Sequence, residues 1–405
     1  QLLRVAVALA FRRARLQYVY SILRGKDLDT GAISSELRDE QFALLANAQD
    51  AVLNLTNWHE FLKCLKGAGF RSGRMITSEN ALVFSYALWL IGRLDFGLSP
   101  EALRPVISRW FFMAHTTGRY TTSPESQLES DLGRVADLAK GDGEAFVAEL
   151  DRIVAANFTS DYWDISLPLK LDSSSQRSPA LFAYLAALNL LEAEALFSDI
   201  RVKDLLDPSS APLRAVERHH LFPKRYLSSI GVSSTRQVNA IANMAFLDWA
   251  ENAKISDSAP VEYWRTMCDK VVHDRMQRQI YLHALPIGWE QLDYATFLDR
   301  RRSLIAKVVR EGFSTLWSDP VAARDASVED LIRSGESQTI EFKSSARWNA
   351  HPAQADPRLE QVVVKTVCGF LNAEGGTLII GVNDDGEALG LNGDLSTLGS
   401  KSSLD

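Results

Sequence analysis

The residues with the most capacity for chemistry lie in Glu217-Arg218-His219-His220-Leu221-Phe222-Pro223-Lys224. Two adjacent histidines end a short apolar run, and a proline and basic residues follow. Downstream comes Ile241-Ala242-Asn243-Met244-Ala245-Phe246-Leu247-Asp248, with Asn252 and Lys254 on the segment after it. Histidine has an ordinary pKa near 6.5, so it can take a proton from water at neutral pH. Phosphodiester hydrolysis needs such a base, a cation to stabilise the charged phosphate, and contacts that hold the strand. If residues 217–221 form a strand, His219 and His220 point to opposite faces and must take different jobs. One can face a metal and the other the water. Asn252 on a helix offers a carbonyl oxygen, a ligand that suits a hard cation such as Mg²⁺ or Mn²⁺. Lys224, Arg225 and Arg236 either contact phosphate or form a solvated basic face. Asn239 reads as a turn residue.

The elements that must position these groups are mostly helical. Residues 1–205 read as helix after helix, with apolar residues at helical spacing. Glu36 to Asn54 and Asn54 to Lys66 give two of them. Thr77-Ser78-Glu79-Asn80 caps a very apolar helix running to Ile91, and Ser99 before Pro100-Glu101 is an N-cap with proline at the first helical position. Trp110-Phe111-Phe112 belongs in the core. Ser123-Pro124-Glu125 starts a helix carrying Glu125, Glu129 and Asp131. Residues 172–178 form a polar loop, and Pro179 to Phe197 a buried helix. Helix restarts at Pro260 and runs with breaks to about Leu316. Its last part carries Arg300, Arg301 and Arg302, either a DNA-binding patch or a solvated helix end. Asp319-Pro320 reads as a linker. Beyond it the spacing predicts a short helix (328–334), a strand (338–344), an amphipathic helix (359–371) stopped by Gly375-Gly376, and a buried strand (377–382). A hairpin turn at Asn383-Asp384-Asp385-Gly386 then leads into 388–391.

Composition sets the outer bounds. The 405 residues carry 46% hydrophobic and 23% charged side chains, which are globular values. A net charge of −7 means that any nucleic-acid role needs a local basic surface. The three cysteines, Cys64, Cys268 and Cys368, form no CxxC pair. That favours a reducing compartment and opposes a cysteine zinc site. The longest apolar run, Ala81 to Gly92, is too short to span a bilayer, and no signal peptide is visible, so a cytoplasmic protein is expected. A start at Gln1 inside a helix and an end in a serine-rich stretch read as a fragment of a longer protein. No P-loop motif is present.

Residues 217–264 resemble an HNH endonuclease finger, a ββα-metal fold. His219-His220-Leu221-Phe222-Pro223 resembles the [D/H]-H-[I/L]-x-P opening of that family. Asn243 and Asn252, nine positions apart, resemble its middle and final asparagines with the interval found in HNH domains of CRISPR effector nucleases. The resemblance implies that His220 is the general base, that His219 and Asn252 bind the metal, that Asn243 holds the loop between the strands, and that Lys254 sits near the phosphate. The family often has Asp where this chain has His219. The wider frame, with Leu23-Arg24-Gly25-Lys26-Asp27, Leu55-Thr56-Asn57-Trp58, Ala68-Gly69-Phe70, Trp110-Phe111-Phe112 and Gly118-Arg119-Tyr120, looks like the C-terminal half of the GmrSD-type restriction family. Members cut modified or invading DNA, and their ParB-like nucleotide-hydrolysing part would lie upstream of this chain. Arg119, Glu125, Glu129 and Asp131 offer a second site or ordinary cap and surface charges.

Residues 327–394 resemble the Schlafen AlbA-like domain through Glu336-Ser337-Gln338-Thr339-Ile340-Glu341-Phe342-Lys343 and the run from Phe370 to Gly386. Members bind nucleic acid, and Schlafen versions cleave RNA with three acidic residues. Glu336, Glu341 and Asp384, with Lys343 on the strand face of Glu341, are the positions that carry over. Asp384 also fits a plain tight turn.

The expectation is therefore a mainly α protein with an embedded ββα-metal finger and a small C-terminal α+β domain. Its boundaries are a helical domain over 1–205, the finger over 206–264, a helical C-terminal part of the nuclease region over 265–318, and the AlbA-like domain over 327–405. The expected function is metal-dependent endonuclease action on DNA in a restriction or anti-phage system, with RNA as a possible partner of the AlbA-like domain and no membrane. Two alternatives stand beside it. One is a binding or regulatory protein with an inactive finger, and the other is an RNase acting through the AlbA-like domain. Composition and spacing say nothing about oligomeric state.

Overall fold

The computed structural model describes residues 1–15, 17–28, 30–206, 217–247, 258–317, 328, 332, 336, 340–349, 351–372 and 377–398. The chain divides into two compact units, Gln1–Trp317 and Ser318–Asp405. It is mainly helical. No helix among the described residues is long and apolar enough to cross a membrane.

The first unit is built around the helix Pro100–Thr117. Ser99 Oγ accepts the Ala102 N–H, proline occupies the first turn, and Gly118 ends the helix in left-handed backbone at φ 73°. Trp110, Phe111 and Phe112 are fully buried. Around it pack Leu55–Gly67, Glu79–Leu94, Gly143–Asn157 and Pro179–Leu190. Asn54 and Ser78 cap the first two of these through their side chains. The helix Pro179–Leu190 is apolar nearly all round, which is the pattern of a helix enclosed by protein. It stops at Leu190 rather than reaching Phe197. The Ala193 N–H turns back onto Leu188 O at 2.8 Å, and Glu192 and Phe197 take positive φ.

Two glycines permit the approaches that follow. A Cβ on Gly312 would lie 2.6 Å from Ala187 Cβ, so the helices Tyr294–Ser314 and Pro179–Leu190 touch backbone to backbone there. Gly69, at φ +85°, passes under Ala186, whose carbonyl oxygen would sit 2.3 Å from a Cβ. The pair Pro179–Leu190 and Tyr294–Ser314 forms the platform beneath the histidine hairpin. That hairpin is β1 (Glu217–His220) against β2 (Met244–Leu247), antiparallel, with His219 opposite Ala245 and His220 opposite Met244.

Among its described residues the second unit holds two short strand pairs. β3 (Ile340–Lys343) runs parallel to the later strand Thr377–Ile380, and β4 (Trp348–Asn349) pairs antiparallel with β5 (Gln354–Ala355). The helix Pro357–Leu371 begins at Asp356, whose side chain accepts the Arg358 N–H. The strand 377–380 is less buried than its apolar sequence suggests. Ile379 is buried, while Thr377 is exposed. The expected strand at 388–391 shrinks to a single bridge between Val382 and Ala388. Asp394 anchors the 345–348 loop. Its Oδ1 accepts from Ser345 Oγ at 2.8 Å and from the N–H groups of Ala346 and Arg347 at 3.1 and 2.8 Å.

Candidate functional site

β1 sends its two histidines opposite ways. His219 is buried at 8% exposure, with its ring edge-on to Tyr263. His220 opens onto a cleft of about 100 Å³ together with Arg218, Lys224, Asn239 and the loop 174–176. Arg218 shares the His220 face because strand side chains repeat every second residue. The His220 Nε2 lies 3.0 Å from Asn239 Oδ1. With that carbonyl accepting, Nε2 carries the proton and Nδ1 keeps the lone pair. Burial holds His220 below the ordinary histidine range; the Asn239 hydrogen bond acts the other way and the Lys224 ammonium adds to the lowering. At neutral pH the imidazole is uncharged, the form that can accept a proton.

The loop that presents this histidine is fixed from inside. Asn243 is fully buried. Its Oδ1 accepts the Phe222 N–H at 2.8 Å, and its Nδ2 donates to Phe222 O at 3.1 Å and Val238 O at 3.0 Å. The Leu221 N–H bonds to Asn243 O at 2.8 Å. Three side chains from later in the chain hold the same loop. Tyr263 Oη donates to Leu221 O at 2.6 Å, Tyr294 Oη to Gln237 O at 2.7 Å, and Arg301 Nη1 to Ala242 O at 2.7 Å. Arg301 also donates from Nε and Nη2 to His283 O at 3.2 and 3.0 Å. Phe222 fills the space between, against Trp289, Tyr294 and Phe297.

These contacts correct one expectation. Arg300, Arg301 and Arg302 are not one basic patch. Arg301 is fully buried beneath the loop, and Arg302 pairs with Asp172 at 3.0 Å and with Asp299. A helix places neighbouring residues about 100° apart, so three consecutive arginines cannot share a face. The acidic residues on the helix Pro124–Ala136 are also engaged within the protein. Asp131 is fully buried, accepts from Arg119 Nε at 3.0 Å and from Tyr120 Oη at 2.8 Å. Glu125 pairs with Arg4 at 2.7 Å, and Glu129 accepts the Ala14 N–H at 2.6 Å. They clasp Pro124–Ala136 to the first helix region.

Among the other expected residues, Lys224 lines the cleft and Arg225 sits on the neighbouring helix Lys224–Ser229. Asn252 and Lys254 lie outside the described residues. Among the described residues no three His, Cys, Asp or Glu side chains converge as a metal-binding group. Asn239, read from the sequence as a turn residue, Arg218, and residues 174–176 of the polar loop are cleft residues that carried no site role from the sequence. The alternation from His220 back to Arg218 could have found one of them. Nothing local marks the other two.

In the second unit, Lys343 Nζ donates to Glu341 Oε1 at 2.7 Å, the i, i+2 neighbours of one strand face. Glu336 Oε1 accepts the Phe342 N–H at 2.8 Å. Asp384 is exposed in the turn that Asn383 closes, where the Gly386 N–H reaches Asn383 O at 3.0 Å. The structure brings Glu341 and Lys343 together and commits the Glu336 carboxylate to the backbone.

The Schlafen AlbA_2 domain family matches residues 336–404. This is what the C-terminal part of the chain is similar to, and it suggests a nucleic-acid-related role. No curated protein and no solved structure matches the chain.

Proposed function

We propose that the first unit is an HNH-type endonuclease that hydrolyses DNA, and that the second unit binds nucleic acid. The observation that carries the reading is the His220 cleft: a neutral imidazole, oriented by Asn239, lies in an opening it shares with Arg218 and Lys224. In this reading His220 takes a proton from water as the water oxygen attacks phosphorus and the 3′ oxygen departs. Arg218 and Lys224 hold the phosphate oxygens by charge-assisted hydrogen bonds. Asn243 keeps the loop, and through it His220, in place. A divalent cation, Mg²⁺ or Mn²⁺, is part of the proposal; Asn252 would be one of its ligands, and when bound it would supply charge stabilisation at the phosphate, whereas His219, turned to the opposite face against Tyr263, is not among the groups at this cleft. Lys254 would add a further cation near the strand. The resemblance to GmrSD-type proteins supports a place in restriction or anti-phage defence, and the Schlafen AlbA_2 match supports the nucleic-acid part.

The test is cleavage of plasmid DNA and of RNA with Mg²⁺ or Mn²⁺, comparing the chain with His220→Ala and Glu341→Ala. Loss of a general base lowers the rate by about 100-fold or more, so His220→Ala should remove DNA cutting and Glu341→Ala should spare it. Cutting that survives His220→Ala and disappears in Glu341→Ala would move the activity to the second unit.

A further inference from the structure

The polar loop after Leu171 is not a passive connection. Its backbone is bonded into the finger, since the Ile241 N–H donates to Ser173 O at 2.8 Å. Its acidic residue is turned to other partners: Asp172 pairs with Arg302 at 3.0 Å and with Arg236 at 3.8 Å. That leaves Ser174, Ser175 and Gln176 as the wall facing Arg218, His220 and Lys224. Arg218 reaches across, with Nη1 3.4 Å from Gln176 O and Nη2 3.4 Å from Gln176 Oε1. Both contacts are long, and an anion would outcompete them as partners of a guanidinium. The cleft holds about 100 Å³. At about 30 Å³ per water that is room for three or so waters, or for one phosphodiester group without its base.

We infer that the loop Ser174–Gln176 forms, with Arg218 and Lys224, a subsite for the backbone phosphate of a DNA strand. It rests on the reading of the cleft as a phosphodiester site, and it assigns part of that site to the helical frame rather than to the hairpin. Two cations supply the charge, and two hydroxyls and an amide supply neutral donors. Contacts to a backbone phosphate carry no sequence information, so the subsite sets register and takes any sequence.

The test labels the loop itself, so that binding by the second unit cannot stand in for it. The full chain carries Ser175→Cys and Cys368→Ser. Cys64 is buried, which pushes its thiol up to about 12, and the half-buried Cys268 is replaced by serine as well, so the new cysteine is the one that takes a maleimide at neutral pH. A single-stranded thymidine oligonucleotide is added in EDTA at concentrations that saturate the chain by fluorescence anisotropy. It should slow labelling of the new cysteine by about fivefold at low salt, an effect that fades as salt rises. Arg218→Ala with Lys224→Ala should abolish the protection, and Arg218→Lys, which keeps the charge, should retain most of it. Labelling unaffected by saturating oligonucleotide, or equally slowed in the double variant, overturns the proposal, as does failure of the oligonucleotide to bind the chain at all. Protection that persists while His220→Ala leaves cutting intact would sink the nuclease assignment and leave the subsite standing.

Discussion

Asn239 and Asn243 belong to one loop and do different work. Asn243 has its amide saturated by three main-chain groups in a fully buried place. Truncating it strands the Phe222 N–H and C=O and the Val238 carbonyl, each a buried polar group worth about 1–3 kcal/mol when left unmade. Asn243→Ala should therefore cost about 2–4 kcal/mol in urea unfolding, and a neutral result would remove it as the pin of the loop. Asn239 makes one contact, to a half-buried imidazole. Asn239→Ala should change stability by less than about 1 kcal/mol, yet lower DNA cutting about tenfold by freeing the His220 ring. Equal cutting by that variant would show that the hydrogen bond does not orient the base. The sequence marks the histidine pair and Asn243 through their spacing. It does not mark Asn239, because its partner is 19 positions away with a different local structure at each end.

At the scale of elements, the starts of helices are legible and the reasons for their crossings are not. Ser78, Ser99 and Pro100 announce their helices by residue type, and the structure uses each of them. Of the hairpin strands, Met244–Leu247 shows as an apolar run, whereas Glu217–His220 shows only through its histidine pair. The early end of Pro179–Leu190 is not visible, since the residues after it contain no glycine or proline and keep good helix formers through Phe197. Nor is the crossing at Gly312 visible, because its partner Ala187 is remote in the chain. In an isolated helix, Gly→Ala gains about 1 kcal/mol from propensity. Here the new methyl would meet Ala187 Cβ at 2.6 Å and Cα at 2.7 Å, both close to the backbone and unable to swing aside. Overpacking of this kind costs about 1–3 kcal/mol, so Gly312→Ala should lower the melting temperature. A rise would mean that the two helices can part without loss.

For the whole molecule, a net charge of −7 coexists with a cleft that presents Arg218 and Lys224. Local arrangement, not total charge, decides what the surface can hold. Acid should act on the core before it acts on that surface. Burial pulls both His115 and His283 down to about 4. Each is neutral when folded, whereas the unfolded chain takes up a proton near pH 6.5. Their folded pKa lies below the unfolded one, so the stability they allow is complete above about pH 6.5 and drains away as pH falls toward about 4. Urea unfolding at pH 7.5, 6.0 and 5.0 should show that loss, and His283→Gln should flatten it. A profile level down to pH 5 would show that neither histidine is held neutral. Among the described residues of the second unit, Phe342, Ile379 and Val382 form a separate small core.

Arg301, Tyr294 and Tyr263 hold a loop that comes before them in the chain. During synthesis the histidine hairpin emerges from the ribosome before any of the three. Domains complete their packing as their last elements emerge, so for the span between Leu247 and Arg301 the nascent chain carries both histidines without the supports that set their loop. On the reading proposed above, the His220 cleft is not assembled until the helix Tyr294–Ser314 has been made, and a chain released before that point would lack any cutting that depends on it.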